Sequence, residues 1–245
     1  MPSSSNRYYT PYQVSLPPFT TAVRDLIIAN VVIHLMLFLA GPEATLKIQE
    51  LFALDPERVL KHLWLWQPLT YMFLHHQGDI MHLIFNMLML WMFGGDLERR
   101  WGVSRFLRFY LICGAGAGAI TCLVNALLGL QSATIGASGA IFGLLMAFGM
   151  VFPNRVVLFL GLFPMKARTM VALFAVLQIW AVGGFRSSGI AYFAHLGGMI
   201  VAWLYLSGWW DPRRAVAEVR WRVRRRKFRT LESKRGEDED RYSFH

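Results

Sequence analysis

Residues 106–128 read FLRFYLICGAGAGAITCLVNALL, with a single charge, Arg108, near the start. A bilayer core of about 30 Å takes roughly 20 helical residues, so this run is long enough to cross one. Cys113 and Cys122 both fall inside it, at a spacing that turns them roughly 180° apart on a helix, which excludes a disulfide framework. Apolar runs of similar scale flank it on both sides, at 23–40 and 80–97 before it and at 137–152, 169–185 and 190–210 after it. The pattern predicts an all-α polytopic membrane protein with six spans.

Composition agrees with that expectation. Of 245 residues 55% are hydrophobic and only 16% charged, which departs from soluble domains. A formal charge of +10 would by itself permit nucleic acid or a membrane surface as partner. Position decides between them: 12 of the 25 basic residues lie after Trp210, whereas the spans are almost free of charge. With six spans both termini share a side. That side holds 21 of the 25 basic residues, and the other holds only Lys47, Arg58, Lys61 and Arg186. The excess places both termini in the cytoplasm.

Three regions follow: an N-terminal cytoplasmic segment 1–22, a membrane domain 23–210 and a tail 211–245. No small-residue cleavage site follows the first span, which reads as a retained anchor. The first outer loop, about 41–79, contains LKIQELFALDPERVLKHLWLWQPL with Trp64 and Trp66, a pattern for helices lying at the outer membrane interface. The basic first half of the tail suits anionic lipid, and no nucleic-acid partner is expected. The expected location is a bacterial cytoplasmic membrane.

Polar side chains inside apolar spans are expensive and point to function. His82 and Asn86 stand four apart on one face of the second span. The fourth span opens with Gly136-Ala137-Ser138-Gly139, and the sixth carries His195. Spans two, four and six run in the same direction, so these residues fall at one level in the outer half of the bilayer. The fourth span is also short. Ser138 to Phe152 gives roughly 22 Å of helix, less than the hydrocarbon thickness, so 129–136 is expected as non-helical backbone at membrane depth. Such backbone is tolerated only where protein or a water-filled cavity surrounds it.

Taken singly, Ser138 reads as a cap, and His82, Asn86 and His195 read as interhelical hydrogen-bond partners. Their convergence at one depth favours chemistry. A serine hydroxyl needs a base, and a neutral imidazole is the usual one, so Ser138 and His195 form a candidate dyad. No carboxylate lies at that depth to make a triad. Attack on a peptide carbonyl also needs donors for the developing oxyanion, and Asn86, His82 and the backbone N–H of Ser138 are available. Phe142 shares a helix face with Ser138, where its ring could pack on His195.

These residues resemble the rhomboid family of intramembrane serine proteases. The resemblance covers nearly all of 60–205 and rests on HLIFNM at His82–Met87, GASGAIFG at Gly136–Gly143 and AHLGG at Ala194–Gly198. It implies a six-helix bundle, Ser138 as nucleophile, His195 as general base, an oxyanion site from Asn86, His82 and Ser138, and transmembrane proteins as substrates. No cofactor and no metal are implied. Small residues at Gly139 and Gly143, and at Gly198 and Ala202, are expected to let the fourth and sixth helices approach closely. The chain departs from many members at Gln67, where they have Arg, and at Phe142, where they have Tyr. A metalloprotease prompted by His75, His76, Asp79 and His82 lacks His-Glu-x-x-His. The non-enzyme alternative is a chaperone or adaptor that binds client helices without cutting them.

Overall fold

The computed structural model describes residues 17–130, 132–159, 163–184 and 190–208. The expected tail 211–245 and most of the N-terminal segment 1–22 lie outside the described residues. Each of the six apolar runs carries a helix: α1 (Thr21–Phe52), α4 (Ile80–Trp101), α5 (Val103–Leu128), α6 (Ser138–Val151), α7 (Ala167–Gly184) and α8 (Ile190–Ser207). Of these α1, α4 and α5 are long and apolar enough to cross a membrane, and the other three are shorter apolar helices. Two short helices, α2 (Pro56–Lys61) and α3 (Gln67–Thr70), and a 3₁₀ turn at Tyr71–Phe73 lie between α1 and α4. Outward faces carry large apolar side chains, among them Leu35, Met36, Phe38 and Leu39 on α1 and Val176, Ile179 and Trp180 on α7. Such a surface suits lipid and would be a liability in water.

The first loop, expected at about 41–79 with helices at the interface, opens with a helical arm that runs as far as Phe52. Gly41, at φ 84° and ψ 173°, breaks α1, and Pro42 then starts a second helical arm. Glycine adopts that positive φ without a Cβ penalty, and proline is preset for a first helical turn, where its missing N–H costs nothing. The chain is also not purely helical. After α6 it forms an antiparallel pair, β1 (Val156–Phe159) with β2 (Phe163–Lys166), in which Val156 faces Lys166 and Phe159 faces Phe163. Pro153 cannot continue a helix, and the Val-Val-Leu-Phe run that follows favours extended backbone. Strands of four residues show too little alternation to stand out in an apolar sequence. An ion pair of 2.9 Å from Arg155 to Asp96 ties the start of this hairpin to α4.

The helix α6 is the centre of the assembly, touching α4, α5, α7 and α8. It is apolar on all sides, with Ala140, Leu144, Leu145 and Ala147 fully buried, as befits a helix with no polar face to present. Its 14 residues make it short. The non-helical stretch before it is held by protein. Leu54 and Thr134 exchange backbone hydrogen bonds of 3.0 and 2.9 Å, and Gly136 N donates to Tyr71 O at 2.9 Å. Backbone polar groups that leave the helix are thus satisfied by the first loop.

That loop is itself pinned by Gln67, the departure from the family pattern. Gln67 is fully buried, accepts from Asp55 N at 2.9 Å and donates to Leu51 O at 3.3 Å. Trp66 Nε1 donates to the same carbonyl at 2.9 Å. Leu60, Leu63, Leu65, Trp66 and Leu69 remain exposed on this loop.

A tertiary cap joins the two ends of the membrane domain's first half. Residues at a helix start carry N–H groups without intrahelical partners, and α1 has no acidic residue in its first turn. Glu98, buried at the end of α4, supplies the acceptor instead. Its carboxylate receives Ala22 N at 3.0 Å, Val23 N at 2.9 Å and the Thr20 hydroxyl. Hydrogen bonds to a charged group are worth about 1.5–3 kcal/mol, and removing one partner leaves buried donors unsatisfied. Glu98→Ala is therefore expected to destabilise the protein by about 3 kcal/mol. Unfolding measured in detergent checks this, and a midpoint equal to that of the unaltered protein would show that α1 docks without the cap.

Candidate active site

Gly136, at φ 120°, turns the chain into α6, and a Cβ placed there would fall 2.9 Å from His82 Cε1 and Nε2. Only glycine combines that conformation with so close a ring. Ser138 follows as the first residue of α6, where the backbone N–H groups have no intrahelical partner and the dipole is positive. Its side chain is partly accessible, whereas Gly139 and Ala140 beside it are buried.

Ser138 Oγ lies 2.8 Å from His195 Nε2, although 57 residues separate the two in sequence. Close packing of α6 on α8 makes this contact. A Cβ on Gly198 would collide with the backbone carbonyl of Gly139, and one on Gly143 would fall 3.2 Å from Gly198 O. On its far side α6 is equally tight: a Cβ on Gly139 would come 2.8 Å from Ala117 Cβ, and one on Gly143 would come 2.7 Å from Cys113 Cβ. Glycine at these positions lets three helices share one close contact.

Phe142, one turn after Ser138, stacks on the His195 ring with centroids 4.2 Å apart and planes 10° from parallel. Tyr192 meets the same ring edge-on at 6.2 Å. The hydroxyl that Phe142 lacks is not needed for this stacking. On α4, His82 faces the Gly136 turn and packs at 5.2 Å against His75, which precedes α4. Burial, with His82 and His34 adding to it, pushes the His75 imidazole down to about 3, so it stays neutral. Asn86 is buried and donates one Nδ2 hydrogen to His82 O at 2.7 Å. Among the described residues neither Asn86 nor His82 hydrogen-bonds Ser138.

One contact had no counterpart in the sequence reading. Gln178, buried on α7, places Oε1 2.8 Å from His195 Nδ1. The signal that could have found it is a lone amide in an otherwise apolar span. Tyr71 was missed as well. Its hydroxyl donates to Gly114 O at 2.9 Å and its carbonyl holds Gly136, so it fixes the turn that aims Ser138.

Residues 62–210, more than half of the chain, match the family model described as Rhomboid domain. The chain belongs to the rhomboid family. Among curated relatives, Rhomboid protein 1, mitochondrial, of Saccharomyces cerevisiae is 37% identical over 158 residues, 60% of this chain and 44% of the yeast protein. Rhomboid protease GluP of Bacillus subtilis is 38% identical over 136 residues, 55% of this rhomboid and 24% of the relative. Rhomboid protease GlpG of Yersinia pestis is 24% identical over 206 residues, 82% of this chain and 66% of the relative. The match spans less than half of the yeast relative's length. Fold and family together make this rhomboid a helical membrane protein. Mitochondrial and bacterial relatives stand side by side, so the comparison gives no support to the expectation of a bacterial cytoplasmic membrane.

Proposed function

We propose that the chain is an intramembrane serine endopeptidase that cleaves transmembrane segments of client proteins. The observation that carries this reading is the 2.8 Å approach of Ser138 Oγ to His195 Nε2 at the start of a short helix. In the proposed step Nε2 takes the hydroxyl proton as Oγ attacks the scissile carbonyl, giving a tetrahedral oxyanion. The imidazolium then gives that proton to the leaving amine as the C–N bond breaks. Water, deprotonated by the same nitrogen, hydrolyses the acyl-enzyme and restores the serine. The oxyanion is received by the Ser138 N–H, by the second Nδ2 hydrogen of Asn86 and by His82, with the tight Gly136 and Gly139 backbone leaving room for the substrate.

The same reading places six helices across the bilayer as residues 23–210, with both termini cytoplasmic and Ser138 in the outer half. The exposed Leu and Trp side chains of the first loop then lie at the outer interface. The tail 211–245 rests its basic half on anionic lipid. A client helix offers no free carbonyl until it unwinds, so the cut falls near its outward end, at a stretch weakened by Gly or Pro. The crowded turn favours a small residue on the acyl side of the bond.

Incubation of the purified protein with a panel of single-pass membrane substrates, beside Ser138→Ala, tests the proposal. Products sequenced by mass spectrometry locate the cut. Binding of clients without products from either form would favour the chaperone or adaptor reading. Within the same assay Asn86→Ala is expected to lower turnover by about 10²–10³, the cost of one oxyanion donor. Unchanged turnover would mean that His82 and backbone donors hold the oxyanion without it.

A further inference from the structure

Gln178 sits in the apolar helix α7, between neighbours that face outward, yet is itself 9% exposed. An amide in such a place costs free energy unless it is hydrogen-bonded. Its Oε1 lies 2.8 Å from His195 Nδ1, and the opposite ring nitrogen lies 2.8 Å from Ser138 Oγ. A neutral imidazole carries one proton, on either nitrogen. To accept the serine proton Nε2 must be bare, so the ring proton must reside on Nδ1. A carbonyl oxygen facing Nδ1 favours that arrangement, because it accepts a hydrogen bond and cannot donate one.

Among the described residues, the aromatic rings against His195 do not make this selection. Phe142 lies parallel to the imidazole and constrains its tilt, but treats both nitrogens alike. Tyr192 touches at the edge of the ring. We propose that Gln178 is a positioning residue for the Ser138–His195 pair, holding His195 in the Nδ1–H tautomer and in register with the serine. This rests on the proposed protease reading and keeps Ser138 and His195 as the reacting pair, with Gln178 behind the histidine. In hydrolases with an aspartate behind the histidine, the carboxylate performs the same selection. A neutral amide performs it inside an apolar helix without burying a charge. When the proton passes from Oγ to Nε2, the Nδ1–H bond to Gln178 persists and keeps the imidazolium oriented.

The test uses protein labelled with ¹⁵N-histidine in detergent micelles, with His195 assigned by comparison with His195→Ala. The expected spectrum of the unaltered protein at neutral pH shows the His195 proton on Nδ1. Gln178→Met, of similar length and without an acceptor, is expected to lose that preference, and Gln178→Asn, whose amide falls short of the ring, is expected to do the same. Gln178→Glu keeps an acceptor and keeps the tautomer. In cleavage assays Gln178→Met lowers kcat by at least about tenfold, below the ~10⁴ cost of a wrong tautomer in an aspartate-backed triad. KM stays unchanged, and Gln178→Glu restores kcat. A His195 proton found on Nε2 in the unaltered protein overturns the proposal, as does a Met variant with unaltered tautomer and kcat. Tautomer loss in Gln178→Met in a protein that cleaves nothing upholds the positioning role while removing the protease reading.

Discussion

Ser138→Ala and His195→Ala are each expected to reduce cleavage of a transmembrane substrate by about 10⁶, to below detection in an ordinary gel assay. Nucleophile and base act as a unit, so either loss removes the whole covalent route. The double variant is therefore expected to be no slower than either single one. Folding is expected to survive. Ser138 is partly accessible and its hydroxyl bonds only His195 among the described residues. His195→Ala also loses the stacking on Phe142, worth about 0.5–1.5 kcal/mol, which lowers the unfolding midpoint slightly without unfolding the bundle. Cleavage at the unaltered rate in either single variant would remove that residue from the mechanism, and rate losses that multiply in the double variant would show that the two do not act together.

The second large effect is expected at a residue with no chemistry of its own. Gly198 lies three residues after His195 and packs on the backbone of Gly139, the residue after Ser138. An added methyl group collides with the Gly139 carbonyl, and the obstacle is backbone, which has no rotamer to yield. Nor can α6 retreat, because Gly139 and Gly143 already press on Ala117 and Cys113 of α5. The helices must separate, and that widens the gap between Oγ and Nε2 directly. Overpacking of this kind costs about 1–3 kcal/mol, and a displacement of 1 Å at a reacting centre costs about 10² in rate. Gly198→Ala is thus expected to lose at least about 10² in kcat. The adjacent Gly197→Ala meets Ala117 and Ile120 only at 3.3 Å and is expected to lose far less. Equal activity in the two variants would mean that the contact between α6 and α8 does not set the distance from serine to histidine.

The sequence marked much of this site because membranes make polarity expensive. In a soluble chain a serine and a few histidines would be unremarked, but within apolar runs Ser138, His195, His82 and Asn86 stand out, and six spans of alternating direction would put them at one depth. The brevity of α6 was legible for a similar reason: bilayer thickness is a fixed ruler against which a helix of 14 residues is short. Small residues at Gly139, Gly143 and Gly198 likewise announced where helices would meet.

Gln178 escaped because a single amide does not reveal which way its helix faces. Turning α7 about its axis by half a turn would aim the same residue at lipid, and that rotation is set by side-chain packing among α6, α7 and α8. The Glu98 cap on α1 was hidden for a related reason, since its partners lie 75 to 78 residues away and a backbone N–H leaves no mark in the sequence. The hairpin β1–β2 and the continuation of α1 beyond Gly41 were local, but apolar strands and helices differ little when they are short. What the sequence by itself determined was membrane class, helix placement and the identity of the polar residues, all of which follow from transfer free energies that each residue carries with it. Only the tertiary structure decided which polar residues touch, because hydrogen bonds of 2.8 Å depend on helix rotation and backbone approach, quantities that belong to pairs of helices and to no single segment.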